Sequence, residues 1–227
     1  MHLKTILMEA VLRGFKDYSR ATWIKIIFII FFGVGAAGLS ISYTRDLFIW
    51  LMPFSLLLSM GLMFWMHDNW KTKHIIIFLV IALTGFFVEV AGVLTGVVFG
   101  EYSYGSALGF KIMGTPPLIG LNWLMLIYAV YLIMNKLRIP VLLKILLGSA
   151  LMVFYDIIME PAAINLDMWS WGGEKIPIQN YIAWFAISVV MLSIFYSAKL
   201  KYRNKVAPTL FFVQMAFFLI LNLSIVF

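Results

Sequence analysis

Seven apolar stretches of about 20 residues follow one another along almost the whole chain, and this repetition limits what the chain can fold into. A helix of that length crosses roughly 30 Å of hydrocarbon. The stretches are apolar on all sides, whereas the strands of a membrane barrel alternate polar and apolar residues. The sequence therefore predicts an all-α integral membrane protein with about seven transmembrane helices, over residues 23–43, 47–66, 75–98, 118–134, 141–159, 181–198 and 207–227.

The composition agrees with a protein that lies in a membrane. Hydrophobic residues make up 63% of the 227 residues and charged residues only 12%, whereas soluble domains average about 45–50% apolar and about 25% charged residues. No repeat, linker or low-complexity tract divides the chain, so we expect a single polytopic domain over residues 1–227. The chain has no cysteine, which excludes disulfides and thiolate-bound metal or iron–sulfur clusters.

Positive charge is distributed unevenly between the two sets of predicted loops. Of the 17 Lys and Arg residues, only Arg45, Lys111 and Lys175 fall in loops that follow the odd-numbered spans. Because cytoplasmic loops carry the excess of Lys and Arg, we expect the amino terminus in the cytoplasm and the carboxy terminus outside, in a bacterial cytoplasmic membrane. This topology and attraction to anionic lipid explain the net charge of +7, so nucleic acid is not an expected partner.

Before the first span, apolar residues recur at helical spacing while most of the basic residues fall elsewhere. This pattern is typical of an amphipathic helix at a membrane surface, and we expect such a helix over residues 1–21. A cleaved signal peptide is not expected, because the apolar run that follows has the full length of a span. The apolar positions of the pattern are Leu3, Ile6, Leu7, Val11, Phe15 and Tyr18.

Two carboxyl groups, those of Glu89 and Asp156, lie inside predicted spans. An acid at the centre of a membrane helix costs roughly 2.5–3.5 kcal/mol, so such a residue is a candidate for function. Glu160 follows Asp156 by about one helical turn, although Pro161 is expected to disfavour helix at Glu160. Two acids this close cannot both ionise cheaply, and the one that keeps its proton can donate it. The alternative is a hydrogen-bonded helix end that faces water.

Glycines align with Glu89 on one face of its predicted helix. Gly85, Gly92, Gly96 and Gly100 lie at spacings of three and four residues from Glu89 or from one another. Such a stripe has two uses, close packing against another helix or a groove for a flat apolar ligand. The sequence leaves both open.

Two loops that follow odd-numbered spans each carry a pair of aromatic residues at a spacing of two. Tyr102 and Tyr104 form one pair, and Trp169 and Trp171 form the other. In extended backbone this spacing points both rings to the same side. The rings either belong to an interfacial aromatic belt or stabilise a cation. Four further side chains near the ends of the fourth and sixth spans would orient water or bond between helices: Asn122, Trp123, Asn180 and Trp184.

Other kinds of site are poorly supported by the sequence. His67, Asp68 and His74 flank one short loop, but no third or fourth good ligand accompanies the histidine pair, so no metal site is expected. No phosphate-binding loop is present. Charged residues within the spans are too few for the ion path of an obvious transporter.

The region 85–184 contains a series of motifs in a fixed order and spacing. They are GFFVEVAGVLTGVVFGEYSYG at 85–105, Gly114 to Pro116, Asn122-Trp123, Asp156 to Pro161, Trp169 to Trp171, Ile176-Pro177 and Asn180 to Trp184. This region resembles the carotenoid 1,2-hydratases. The first two spans and the last one carry little of this resemblance, and the chain departs from the expected pattern at Val98, where we expect Pro, and at Glu160, where we expect Asp.

The resemblance implies that water is added to the terminal carbon–carbon double bond of an acyclic carotenoid, without a cofactor. Asp156 or Glu89 would be the general acid, and Glu101 and Glu160 would orient or activate water. The expected partners are the carotenoid, water, the lipid bilayer and other enzymes of carotenoid synthesis. The expected substrate-binding residues are Gly92, Gly96, Tyr102, Tyr104, Asn122, Trp123, Trp169, Trp171, Asn180 and Trp184.

Two alternatives remain open at this stage. A carotenoid cyclase would protonate the same double bond, but an internal double bond would trap the cation instead of water. A non-catalytic protein that binds pigment or lipid would use the glycines for packing and the acids to cap helices. The mass of the product distinguishes them, because hydration adds one water and cyclisation gives an isomer.

Overall fold

Seven helices account for the predicted spans in the computed structural model, which describes residues 19–173, 175–200 and 202–226. Two short strands, β1 (Tyr102–Tyr104) and β2 (Trp169–Trp171), follow the third and fifth helices. The helices are α1 (Arg20–Ser40), α2 (Ser42–Trp65), α3 (Thr72–Thr95), α4 (Leu118–Met134), α5 (Val141–Asn165), α6 (Ile178–Ala198) and α7 (Ala207–Val226).

The predicted helical architecture is confirmed for the described residues. Six of the helices are long and apolar enough to cross a membrane, and they fit a membrane protein. The remaining one, α4, has the predicted bounds but only 17 residues, which corresponds to about 26 Å. Residues 1–18 of the predicted interfacial helix lie outside the described part of the chain, and Ser19 caps α1 by accepting a hydrogen bond from the Thr22 N–H.

Helix α4 lies at the centre of the bundle and contacts five of the other helices, α2, α3, α5, α6 and α7. Most of its residues are buried, including the large side chains of Trp123 and Tyr128. The lipid-facing helices, by contrast, leave many leucines and isoleucines exposed. The predicted spans therefore differ in role, because α4 is the core against which all the other helices except α1 pack.

The connecting segments meet at opposite ends of the bundle. Strands β1 and β2 pair in antiparallel register, Tyr102 with Trp171 and Tyr104 with Trp169, and cover one end, here called the strand end. At the other end, the Asp68 N–H donates to the Arg203 carbonyl over 3.3 Å and joins the α2–α3 and α6–α7 loops. We call this end of the bundle, where His67 and His74 lie, the histidine end. The orientation predicted from the charges puts the strand end outside.

A close backbone approach fixes the position of the strand pair. A Cβ atom at Gly105 would lie 2.1 Å from the Asp167 carbonyl oxygen, so only glycine fits there. The Asp167 carboxylate accepts hydrogen bonds from the Ser106 N–H at 2.8 Å and from the Ser106 hydroxyl at 2.7 Å. These bonds lower the pKa of Asp167, because they stabilise its ionised form. The segment after β1 is thereby tied to the segment before β2.

Helix α5 corrects one expectation from the sequence. The fifth span was expected to end near residue 159, with Pro161 disfavouring helix at Glu160, but α5 continues through both residues to Asn165. The preference of a residue before proline for extended backbone is a bias that tertiary contacts can override. Here Glu160 is 1% exposed, and Ala162 and Ala163 are fully buried. Asp156 and Glu160 consequently lie one turn apart on the same helix.

Candidate active site

Three carboxyl groups from two helices converge beneath the strand pair. Glu89 on α3 and Asp156 and Glu160 on α5 are 4%, 0% and 1% exposed. They line one small cavity of about 20 Å³, which we call the acid chamber. A cavity of about 10–15 Å³ or more can hold a water molecule when polar groups surround it. The acid chamber therefore has room for about one water.

Glu89 accepts hydrogen bonds on both carboxyl oxygens. Tyr102 and Tyr104 donate their hydroxyls to Oε2 over 2.6 and 2.7 Å, and the Trp123 indole N–H donates to Oε1 over 2.8 Å. Burial and the neighbouring Glu89 carboxyl raise the pKa of both tyrosines, so they keep their protons at neutral pH. Three donors that remain protonated stabilise the ionised form of Glu89, whereas its burial stabilises the neutral form.

Glu160 is held by the second strand in the same manner. The indole N–H groups of Trp169 and Trp171 both donate to its Oε2 over 3.1 Å. In both strands, side chains two residues apart point to the same side, as the spacing predicts, and each pair donates to one carboxyl group. The cross-strand neighbours are Tyr102 with Trp171 and Tyr104 with Trp169, with ring centroids 5.3 and 6.1 Å apart.

Asp156 differs from the other two acids because one of its oxygens has no partner. The Asn180 side-chain N–H donates to Oδ2 of Asp156 over 2.7 Å and to Oε1 of Glu160 over 3.4 Å. Oδ1 of Asp156 is buried and has no hydrogen bond among the described residues. Buried polar atoms without a partner are rare and call for an explanation. A proton carried by Oδ1, or a ligand bound to it, would explain why this oxygen has no hydrogen bond within the protein.

Most of the residues predicted from the sequence meet at the acid chamber. Asn122 and Trp184 line it together with the strand aromatics. Trp123 lies directly behind Glu89, and its ring packs against that of Trp184 with centroids 4.3 Å apart. The predicted pairing of Asp156 with Glu160 is made through Asn180, whose side-chain N–H group contacts both carboxyls.

Besides Trp123, three predicted residues do not line the acid chamber. Glu101 is exposed, and its backbone carbonyl accepts a hydrogen bond from the Gly172 N–H over 2.8 Å. Gly92 lies against Phe99 and Tyr102, and Gly96 ends α3 in a left-handed conformation with a φ of 64°. The glycine stripe is thus covered by side chains of the protein itself, with Trp123 against Gly85, Glu101 against Gly96 and Pro177 against Gly100, which corresponds to close packing.

A second cavity, which the sequence did not indicate, adjoins the acid chamber. It has a volume of about 160 Å³ and is lined mainly by apolar side chains of α1, α2, α4, α5 and α7. We call it the apolar pocket. Ile119, Asn122, Met159 and Trp169 line both cavities. No sequence signal could have found it, because its Phe, Leu and Met residues look the same as residues that face lipid.

No metal-binding group is found in the part of the chain that the structure describes, where no three His, Asp or Glu residues are placed to share an ion. His67 and His74 instead form a hydrogen bond to each other, with Nε2 and Nδ1 2.9 Å apart. The acid chamber itself offers carboxyls, hydroxyls, amides and indoles. These groups suit proton transfer and water binding.

Comparisons with known proteins point to one pathway. The family profile described as carotenoid biosynthesis protein matches residues 51–227. Bisanhydrobacterioruberin hydratase from Haloarcula japonica is 25% identical over 126 residues, which are 51% of this chain and 42% of the relative. The chain thus matches less than half the length of that curated relative. No solved structure matches the chain.

Proposed function

This chain belongs to the family of carotenoid biosynthesis proteins, and from that premise we propose that it is a carotenoid 1,2-hydratase. It would add water across the terminal double bond of an acyclic carotenoid in a bacterial cytoplasmic membrane. The distant similarity to a carotenoid hydratase supports a hydratase role. The observation that carries the proposal is the unpartnered, buried Oδ1 of Asp156 beside a space for one water.

Asp156 is the general acid of the proposed reaction. A buried carboxyl oxygen that accepts no hydrogen bond is best satisfied by carrying the proton itself. Glu89, with three donors, has no free oxygen for this task. Asp156 therefore transfers its proton to the CH carbon of the terminal double bond, and the positive charge develops on the carbon that bears two methyl groups.

Glu89 and the aromatic rings stabilise the tertiary cation. An ionised carboxylate fixed by three hydrogen bonds is preorganised before the charge develops, which is how electrostatic catalysis works. The rings of Tyr102, Tyr104, Trp169 and Trp171 line the same chamber, and each π face contributes about 0.5–2 kcal/mol to a nearby cation. Because the tyrosines and Trp123 act as donors to Glu89, they are positioning residues for this carboxylate.

Glu160 receives the proton that the water releases. The water attacks the cationic carbon, and Glu160 accepts one of its protons, which leaves a tertiary alcohol. Asn122 lines both cavities and is suited to orient the water at their junction. Asp156 regains its proton from Glu160, one helical turn away, and Asn180 holds the two carboxyls together. The overall change is the addition of one water, without electron transfer, so the reaction needs no cofactor.

Expression in a lycopene-producing bacterial cell tests the proposed function. Pigments extracted from cells grown in ordinary water and in H₂¹⁸O are compared by mass spectrometry with those of cells that lack the protein. A hydratase gives pigments heavier by one or two waters that carry the heavy oxygen. An isomer of unchanged mass identifies a cyclase, and unchanged pigment bound to the purified protein identifies a carrier. Either of the last two results overturns the proposal.

A further inference from the structure

We propose that the isoprenoid end of the substrate enters the apolar pocket sideways from the bilayer, between α1 and α2, while the rest of the polyene stays in lipid. The inference rests on the proposed function and names the binding site of its substrate. It places the substrate on α1, α2 and α7 and not on the glycine stripe, which other side chains of the protein cover.

The apolar pocket opens at the depth of the hydrocarbon. Val34 lines the pocket and is nevertheless 55% exposed, so it marks the mouth. It precedes Ser40, the last residue of α1, by six positions, which corresponds to about 9 Å along the helix axis. Leu51 and Ser55 line the pocket from α2. A mouth between two membrane-spanning helices, away from their ends, faces acyl chains and not water.

The volume of the pocket limits how much of the substrate it holds. An engineered apolar cavity of about 150 Å³ binds benzene, and this pocket has a volume of about 160 Å³. It accordingly holds one isoprene unit, or about two if the mouth widens. A carotenoid is several times longer, so only its end group enters and the remaining chain runs through the mouth into the bilayer.

Continuity with the acid chamber gives the end group its orientation. Ile119, Asn122, Met159 and Trp169 line both cavities, so an end group that fills the apolar pocket presents its double bond at their junction. The wall also contains Gln214, which is 5% exposed and whose Oε1 has no partner among the described residues. This oxygen can accept a hydrogen bond from a hydroxyl group, which is what the hydrated end group carries.

Helix α1 supplies one wall of the pocket although it lies outside the matched family region. The profile matches residues 51–227, whereas Phe31, Val34 and Gly35 line the pocket from α1. The acid chamber, by contrast, is built entirely within the matched region. The structure thus assigns the chemistry to the matched region and the admission of the end group partly to α1.

Two glycines of α1 provide a matched test. A Cβ atom at Gly35 would contact Phe217 at 3.5 Å inside the pocket, whereas one at Gly33 would meet nothing within 4 Å. We expect Gly35→Leu to fill the pocket and lower the rate of lycopene hydration by about 10²-fold, since small misplacements of a reacting group have effects of that size. Gly33→Leu, which adds the same side chain two residues away, should retain the wild-type rate.

Binding is measured separately from catalysis. The Asp156→Asn variant, purified in detergent from lycopene-producing cells, should retain pigment, and the visible absorbance per protein reports the amount. In that background Gly35→Leu should lose most of the pigment and Gly33→Leu should keep it.

On α2, Ser55→Phe should act as Gly35→Leu does, with Gly61→Phe as its control because no atom lies within 4 Å of a Cβ there. The α2 pair provides the test if Gly35→Leu fails to accumulate.

The outcomes separate the two proposals. If the wild-type protein hydrates neither lycopene nor other acyclic carotenoids, the proposed function fails. If the wild type hydrates lycopene and the folded Gly35→Leu and Ser55→Phe variants do so at the same rate, the hydratase stands and entry between α1 and α2 is wrong. Equal losses in Gly35→Leu and Gly33→Leu also overturn it, because the effect would then not depend on the pocket.

Discussion

The strand end and the histidine end of the bundle both bury polar side chains, but they differ in whether an unpaired polar atom adjoins a cavity. At the histidine end, Nδ1 of His67 lies 2.8 Å from the Tyr128 hydroxyl and its Nε2 lies 2.9 Å from His74. Asn204 donates to the Tyr128 hydroxyl over 3.1 Å and accepts from backbone N–H groups at the start of α7. The Tyr202 hydroxyl at this end has no partner among the described residues, but Tyr202 lines neither the acid chamber nor the apolar pocket. At the strand end, Oδ1 of Asp156 also has no partner, and Asp156 lines the acid chamber.

This difference separates a structural cluster from the one that we propose to be catalytic. Burial lowers the pKa of His67 to about 4, so the ring is neutral at pH 7. Its hydrogen bonds with His74 and Tyr128 join the loop after α2 to α3 and α4. The acid chamber combines an unpartnered carboxyl oxygen with adjoining space and a second carboxyl group that accepts three hydrogen bonds. Buried polar residues alone therefore do not identify a catalytic centre, whereas an unmet hydrogen bond beside a cavity marks a candidate for one.

Replacement of the acid should have the largest effect. Asp156→Asn keeps the shape of the side chain but removes the transferable proton, so we expect the rate of hydration to fall by about 10²–10⁴-fold, the usual contribution of a general acid. The rate of formation of hydrated lycopene in membranes measures it. The variant should elute from a sizing column as the wild type does. A rate within tenfold of wild type would remove Asp156 from this role.

Loss of the anion should have the next largest effect. Glu89→Gln removes the charge that faces the cation, and we expect a fall of about 10²–10³-fold, as for other preorganised electrostatic groups. Tyr102→Phe, which removes one of the three donors to Glu89, should have a smaller effect on the same assay. If Tyr102→Phe were the more damaging change, the tyrosine and not the carboxylate would be the important group.

A substitution at the histidine end should change the stability of the protein and not its rate of hydration. His67→Leu leaves the Tyr128 hydroxyl and His74 without this partner, and an unsatisfied buried group costs about 1–3 kcal/mol. We expect a lower melting temperature in detergent and an unchanged rate per folded protein at low temperature. Loss of activity at an unchanged melting temperature would contradict the structural role that we assign to the histidine end.

The low pKa of His67 predicts a pH dependence of stability at the histidine end. The unfolded chain, with a histidine pKa near 6.5, binds a proton at higher pH than the folded protein, in which the value is about 4. The contribution of His67 is therefore complete above pH 6.5 and is lost as the pH falls from 6.5 to 4. Melting temperatures across this range should decline less steeply in His67→Leu than in the wild type. Parallel curves would contradict the assignment.

The smallest effect is expected at Glu101. Because the side chain is exposed and does not line the acid chamber, Glu101→Gln should change the hydration rate by no more than about twofold, as is usual for surface substitutions. The same assay that is used for Asp156→Asn measures it. A loss comparable with that of Asp156→Asn would return Glu101 to the catalytic group.

Local spacing explains why much of the site was predictable from the sequence. Residues four apart share one face of a helix, and residues two apart share one side of a strand. The pairing of Asp156 with Glu160 and the common direction of Tyr102 and Tyr104 follow from these rules. The length of the apolar stretches likewise predicts the helices, because a fixed hydrocarbon thickness requires about 20 residues.

Which groups meet across the chain was decided only by tertiary structure. Glu89 and Glu101 are both acids near the end of α3, yet only Glu89 enters the chamber, because β1 folds back over it and pairs with β2. The apolar pocket needs five helices whose lining residues are indistinguishable in sequence from lipid-facing ones. Periodicity along the chain sets the direction of a side chain from its own helix or strand. The partner it meets depends on packing between segments far apart in sequence, which that periodicity does not encode.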